Sequence, residues 1–532
     1  MTQAAPLRRI STGLTLGDLL ERNARFVADG IAYDDGTRRL THGAFLGRVR
    51  QLAAALEQRG CTHQDRVAML SMNAIEYFEF YGACELAGFM AATVNYRLAL
   101  AEMQVIVESA APAAFLFEAQ YAEAAAQLRE SLPGVRSWIC VGGPAPAWAE
   151  DYEAVLAAAP AGGPRGCASE DDVAHLIFTS GTTGKPKGCM LAHRDSVNKA
   201  QMHAAEMGIS PQDRVLLVMP YFHVGAKGIQ SGATWRGATV LVHRSFDPAR
   251  VLDAIERDKA TILHLAPSMV QTVLEQPGIA QRDLSSVRVV CYSAAPMPIN
   301  VLRQGLALMG DVFHQVYGQT EGAVSVLLRA QHRPDGSERE RRRLESVGQP
   351  LIGTEVRLVA DDGGDAAPGE AGEIVYRGGV MFRGYWNDMP ATLATLRDGW
   401  VHSGDIGRFD EDGFLYIVDR KKDMVISGGE NIYSREVEQA LVRHPAVMEA
   451  AVIGVPDARW GEAVRAVVVL RRGRTTTQEE LIAHCRTLIA SYKKPRSVVF
   501  ASELPKLNSG KIDKNRIRAL HGSASPLNQG KT

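Results

Sequence analysis
The chain has 532 residues, 46% of them hydrophobic and 22% charged, and 59 Lys and Arg against 60 Asp and Glu leave a formal net charge of −1. That length and apolar content suit a large enzyme of roughly three or four domain-sized units. The even charge balance implies no basic face for nucleic acid, so the expected partners are small molecules. Helical apolar patterns over residues 16–28 and 45–56 alternate with short β-branched runs over 66–71 and 238–242, which predicts α/β layers on largely parallel sheets. From about Val347 the texture changes to short alternating strands, 355–359 and 373–377, separated by Gly, Asp and Pro turns; this predicts a small antiparallel sheet or barrel. The charged segment 361–370 reads as a solvated hairpin loop. Beyond Asp423 come a Gly-rich turn, a helix over 434–442, strands over 449–453 and 466–470 and a helix over 479–489, together a compact α+β unit.

Seven cysteines, Cys61, Cys84, Cys140, Cys167, Cys189, Cys291 and Cys485, are scattered without a CxxC pair. The pattern suits a reducing compartment, the cytoplasm being the simplest, and neither a disulfide framework nor a zinc site. Arg8 and Arg9 stand near the N-terminus, but residues 10–20 are too broken by Ser, Thr, Gly and Asp for a signal-peptide core. No run approaches the length that spans a bilayer.

The most informative stretch is Thr179-Ser180-Gly181-Thr182-Thr183-Gly184-Lys185-Pro186-Lys187-Gly188, directly after the apolar run 174–178. Its three glycines, four hydroxyls and two lysines are the makings of a phosphate-gripping loop. Glycine lets backbone amides turn toward an anion, hydroxyls add donors, and lysine adds a compact positive charge. A surface turn, the competing reading, needs only one or two such residues. Pro186 follows Lys185 where a Walker loop has Ser or Thr, which disfavours an ordinary P-loop NTPase. Further along stand Tyr317-Gly318-Gln319-Thr320-Glu321, Ser403-Gly404-Asp405, Asp419-Arg420-Lys421-Lys422-Asp423 and Pro505-Lys506-Leu507-Asn508-Ser509-Gly510-Lys511.

Each of these five segments resembles a motif of the adenylate-forming superfamily, which includes acyl-CoA synthetases, and they occur in family order across essentially the whole chain. The resemblance implies a large N-terminal domain of layered α/β subdomains with a small β-barrel-like subdomain, residues 1–421, and a small mobile α+β domain, residues 422–532, hinged at Lys422. It also implies ATP and CoA as co-substrates and Mg²⁺ as cofactor. A carboxylate is a poor acylating agent until it is joined to AMP. That step needs the reactants positioned in line and negative charge neutralised.

By the same resemblance, Glu321 would hold Mg²⁺, with a surface salt bridge as the competing reading. ATP and AMP would be held by Thr179, Ser180, Gly181, Thr182, Thr183 and Lys187, by Tyr317, Gly318, Gln319 and Thr320, and by the base-packing segment Ser293, Ala294, Ala295 and Pro296. Many relatives carry glycine where Ser293 stands. Asp405 would accept both ribose hydroxyls and Arg420 would reach a ribose or phosphate oxygen, against an Asx-turn aspartate and an ion pair with Asp419 or Asp423. Lys511 would enter the site for adenylation and leave it for thioester formation, so that Lys511, Lys187, Glu321 and Thr179 carry the catalysis. Ser427, Gly428, Gly429 and Glu430 would border the CoA arm, the alternative being a helix-start turn capped by Ser434.

The family places the gate and acyl wall at residues 219–230, together with Val316, Gly322 and Ala323. No Asp or Glu occurs in 219–230, which disfavours a free amino acid as substrate. His223 reads as the gate or as a core histidine. Lys227 reads as a snorkelling lysine or as a partner of an anionic group on the acid or CoA. The resulting expectation is an acyl-CoA synthetase for a fatty or aryl/alicyclic acid, with loading of a carrier-protein phosphopantetheine as the alternative. A homodimer is compatible with the chain.

Overall fold
The structure, a computed structural model, describes residues 13–160, 163–179, 186–360, 362–427, 430–457, 460–507 and 511–523. Two compact units emerge, one of residues 1–356 and 376–401, the other of residues 357–375 and 402–532.

The first unit holds two large sheets. The nine-stranded sheet runs Gln349–Pro350, Gly322–Leu327, Phe313–Gln319, Val289–Tyr292, Ile262–Leu265, Arg214–Leu217, Thr239–Val242, Ile31–Asp34 and Arg39–Thr41. Its interior is parallel and both edges are antiparallel. The seven-stranded sheet runs Glu150–Asp151, Ser137–Val141, Ala114–Glu118, Arg66–Leu70, Met90–Val94, Val173–Thr179 and Lys187–Ala192, and only the last pair is antiparallel. Central strands such as Met90–Val94 and Ala114–Glu118 are buried at every position, as parallel strands covered on both faces must be.

Helices fill the space between the sheets. His42–Gln58 is started by the Thr41 hydroxyl, and Ile75–Ala87 is stopped by Gly88 in a left-handed conformation that costs glycine little. Their apolar faces join Val67 and Met69 of one sheet to Val215, Leu217 and Val240 of the other in one continuous core. The predicted helices at 16–28 and 45–56 are observed as Leu16–Phe26 and His42–Gln58.

The predicted small sheet is five-stranded: Thr354–Val359, Gly372–Gly378, Trp400–Phe409 and Leu396–Arg397 in that order, with Leu415–Arg420 also paired to Trp400–Phe409. In the second unit, Val447–Asp457 and Gly461–Leu470 form a long antiparallel ladder, and the free edge of Gly461–Leu470 takes Val425–Ser427 antiparallel and Ser497–Phe500 parallel. Ser434–Val442 and Gln478–Leu488 pack on one face of it, while Ile517 and Leu504 close the other. Ser434 does not cap its helix: Tyr433 is the N-cap residue, and the Ser434 hydroxyl donates to Asp419 at 3.0 Å. All seven cysteines are free, and among the described residues no helix is long and apolar enough to cross a membrane.

Candidate active site
In the first unit, Val173–Thr179 and Lys187–Ala192 form an antiparallel hairpin with Thr179 opposite Lys187. The glycine-rich segment therefore begins and ends on two paired strands. Ser180, Gly181, Thr182, Thr183, Gly184 and Lys185 lie outside the described residues. Lys187 projects its ammonium over the ring of Tyr385, 4.9 Å from the centroid. The Tyr385 hydroxyl donates to Glu321 Oε1 at 2.6 Å. Burial and the neighbouring carboxylate push the Tyr385 phenol far up, so it stays protonated and remains a donor. One aromatic side chain thus joins the expected phosphate-loop lysine to the expected metal carboxylate.

Glu321 stands at the turn between Phe313–Gln319 and Gly322–Leu327. Two glycines make this turn tight: a Cβ on Gly318 would lie 2.7 Å from the Gly322 carbonyl oxygen, and one on Gly322 would lie 2.5 Å from the Tyr376 ring. The Glu321 carbonyl accepts from the Phe382 amide at 2.8 Å, which fixes the turn against the segment that carries Tyr385. A lone carboxylate fits Mg²⁺, which takes one or two protein carboxylates and fills its shell with phosphate and water. Among the described residues no group of three or more His, Cys, Asp or Glu forms a dedicated metal site. Tyr317, Val316 and Ala323 lie on this same hairpin, whose Gly318 is paired with Ala323.

Ser293 follows the strand Val289–Tyr292 and bonds His264 Nε2 at 2.9 Å through its hydroxyl. Ala294 is held at φ 73°, a left-handed conformation unfavourable for a residue with a Cβ. Such local strain concentrates at functional sites. His223 precedes the helix Val224–Arg236 as its N-cap residue, partly exposed, with its ring 4.4 Å from Phe222.

Lys227 corrects the snorkelling expectation. It is 5% exposed, and its ammonium bonds Glu85 Oε1 at 2.8 Å, Gln230 Oε1 at 2.6 Å and Ser231 Oγ at 3.2 Å. His175 Nε2 meets the same Glu85 oxygen at 2.8 Å. Burial alone would raise the Glu85 carboxyl, but Lys227, seconded by His175, holds it at about 2. The lysine is therefore part of a buried ionic cluster on the inner side of its helix.

In the second unit, Asp405 and Arg420 face each other across the ladder, with Arg420 Nε 2.5 Å from Asp405 Oδ1. The ion pair considered for Arg420 thus forms with Asp405; Asp419 instead receives Ser434 and Asp423 receives Arg518. The Lys511 side chain is exposed, yet local covering and the Arg420 guanidinium lower its ammonium while Asp405 opposes the shift. Exposure makes this the lowering of a partly covered group. Asp405, Arg420 and Lys511 are accordingly gathered in one place. Lys422 lies in the short turn Lys421–Asp423, and its carbonyl accepts from Arg518 at 3.3 Å. Ser427 pairs with Glu430, and Gly428 and Gly429 lie outside the described residues.

Residues 20–386 match the family described as AMP-binding enzyme, and residues 436–511 match the AMP-binding enzyme C-terminal domain. The chain belongs to the AMP-binding enzymes. A feruloyl-CoA synthase from an Amycolatopsis species is 38% identical over 95% of this chain and 99% of that relative. An indoleacetate–CoA ligase from Aromatoleum aromaticum is 35% identical over 95% of this chain and 98% of its own. Among solved structures, the amide bond synthetase McbA from Marinactinospora thermotolerans superposes with a TM-score of 0.85 at 30% identity, covering 96% of this chain and 100% of that one. The adenylate-forming fold that the motifs implied is the fold observed.

Nothing in the sequence around Tyr385 marks it, because Arg383-Gly384-Tyr385-Trp386 reads as an ordinary loop. Its role depends on a bridge from Tyr385 to Cys189 in the phosphate-loop strand, a pairing between distant segments.

Proposed function
We propose that this AMP-binding enzyme is an AMP-forming acid–CoA ligase that joins a fatty, aryl or alicyclic carboxylic acid to CoA through an acyl-adenylate. The observation that carries the reading is Tyr385 tying Lys187 to Glu321, which supports a single patch for a triphosphate and its cation. ATP would thread its phosphates past Thr179 and Lys187. Glu321 would hold Mg²⁺, which when bound supplies positive charge against the triphosphate. Tyr317 and the segment 293–296 would flank adenine, and Thr320 would donate to the α-phosphate.

Asp405 would accept the ribose hydroxyls, and Arg420, paired with it across the ladder, would reach phosphate or ribose. Lys511 would bind carboxylate and phosphate oxygens as pyrophosphate departs. A rotation about Lys422 would then bring Ser427 to Glu430 to the CoA arm. The relatives named as CoA ligases favour CoA over a carrier protein as acceptor. A reducing cytoplasmic setting and a homodimer complete the reading.

The test is mass-spectrometric product detection after incubation with ATP, Mg²⁺, CoA and aliphatic, aromatic, dicarboxylic and amino acids. Acyl-CoA with stoichiometric AMP is the expected result. Adenylate that accumulates without thioester, and is discharged only by an amine or a carrier protein, would replace CoA as the acceptor.

A further inference from the structure
A second group of buried polar side chains lies across the helix Val224–Arg236 from the Glu85–Lys227 pair. The face involved carries Gly225 and Gly228, three apart and so aligned on one side. A Cβ on Gly225 would lie 3.3 Å from His264 Cε1, and one on Gly228 would lie 3.0 Å from His203 Nε2 and 3.4 Å from Lys199 Cδ. The helix His193–Glu206 supplies Lys199 and His203 at i and i+4, both aimed at the bare glycine face.

Lys199 is 8% exposed and His203 7%. Among the described residues, neither side chain has a hydrogen bond or an ion pair. His264 is bonded to Ser293 through Nε2, and its enclosed Nδ1 has no partner. Burial draws the Lys199 ammonium down to about 8, against the pull of Asp195, Cys189 and Glu321, which are close enough to act on it. Burial keeps His203 and His264 neutral at working pH, at about 3 and 4.

The polar group therefore lies between Glu321, the expected metal carboxylate, and Ser293, the start of the expected base-packing segment, against the helix that follows His223. That is where the acyl part of an activated acid must lie if the ligase reading above is right, and this inference rests on that reading. A plain hydrocarbon there would leave a buried ammonium and an imidazole without partners, which is costly. Sites built to satisfy a substrate oxygen discriminate strongly against analogues that lack it.

We propose that Lys199 and His203 form a polar end wall of the acyl pocket and select acids carrying a second, anionic oxygen remote from the reacting carboxylate. A distal carboxylate or a phenolate supplies that chemistry, and the ammonium and imidazole N–H donate to it.

The test compares kcat/KM for matched pairs, suberic against octanoic acid and 3-(4-hydroxyphenyl)propanoic against 3-phenylpropanoic acid, with ATP, Mg²⁺ and CoA. The wild-type enzyme is expected to favour the oxygenated member of one pair at least tenfold, and the pair that shows it names the source of the oxygen. Lys199→Met should lower kcat/KM for that acid at least tenfold, mainly through KM, and raise it severalfold for the plain acid. The gain on the plain acid also shows that the variant is folded. Lys199→Arg should restore part of the preference, and His203→Phe should weaken it.

Equal turnover of both members by the wild type, or an undiminished preference in Lys199→Met, would overturn the proposal while leaving the ligase reading intact. Failure to form acyl-CoA from any acid would remove both.

Discussion
Tyr385 shows how much one side chain contributes to this site. Its ring lies under the Lys187 ammonium and its hydroxyl holds one oxygen of Glu321, so the lysine and the carboxylate keep a fixed spacing. A hydrogen bond to a charged group is worth about 1.5–3 kcal/mol, and each 1.4 kcal/mol is about tenfold in rate. Tyr385→Phe keeps the ring and deletes the donor. It is expected to slow ATP–pyrophosphate exchange about tenfold or more and to raise the Mg²⁺ concentration needed for half-maximal rate. An unchanged Mg²⁺ titration would separate Tyr385 from the cation that Glu321 is proposed to hold.

Residues inside compact motifs, such as Lys187, Glu321, Asp405 and Lys511, could be picked out because their neighbours announce a turn or loop. Tyr385, Glu85 and Lys199 could not. Tyr385 and Glu85 acquire their roles from partners far away in sequence, and Lys199 is covered by the distant helix Val224–Arg236; a lone Tyr, Glu or Lys carries no local sign of either.

At the scale of elements, the helices Ile75–Ala87 and Val224–Arg236 and the strand Val173–Thr179 are tied together by Glu85, Lys227 and His175. Removing one member of a buried ion pair leaves the other charge uncompensated, typically at a cost of about 3–5 kcal/mol. Glu85→Gln should lower the urea midpoint of the first unit accordingly, and the double variant with Lys227→Met should recover part of the loss. A full loss in the double variant would mean that packing at these positions, and not charge, is what matters.

The alternation of helical and β-branched runs made the layered α/β sheets predictable, because parallel strands buried on both faces must be apolar throughout. Helix ends were less so. His42–Gln58 begins three residues before its apolar pattern because the Thr41 hydroxyl caps it. Lys227 departs from the snorkelling expectation for a different reason: helical spacing tells which side of a helix a residue occupies, but not that Glu85 lies there.

At the scale of the whole molecule, five buried imidazoles in the first unit, His193, His203, His264, His314 and His332, are held by burial at about 4, 3, 4, 3 and 4. Unfolding returns each to its ordinary value near 6.5. Their folded values lie below the unfolded one, so their stabilisation is complete above about pH 6.5 and is lost as pH falls toward the folded values. At pH 4.5 the loss is about 2–3 kcal/mol for each, and together it rivals a typical stability of about 5–15 kcal/mol. Near-ultraviolet circular dichroism should therefore show cooperative loss of structure between about pH 6 and 4. A native signal retained at pH 4 would contradict this.

The division of labour between the half-reactions belongs to the same scale. Lys511→Ala should slow adenylate formation about a hundred- to a thousandfold while sparing thioester formation from supplied acyl-adenylate. Equal loss in both would show that Lys511 serves more than adenylation.

In the proposed reaction the acid's own oxygen attacks the α-phosphorus, displacing pyrophosphate, and leaves with AMP when CoA takes the acyl group. The most direct test supplies a turned-over acid labelled with ¹⁸O in its carboxylate, together with ATP, Mg²⁺ and CoA, and weighs the products. One ¹⁸O in AMP and none in pyrophosphate is expected for each acyl-CoA formed. Unlabelled AMP, or ADP and phosphate in its place, would contradict it.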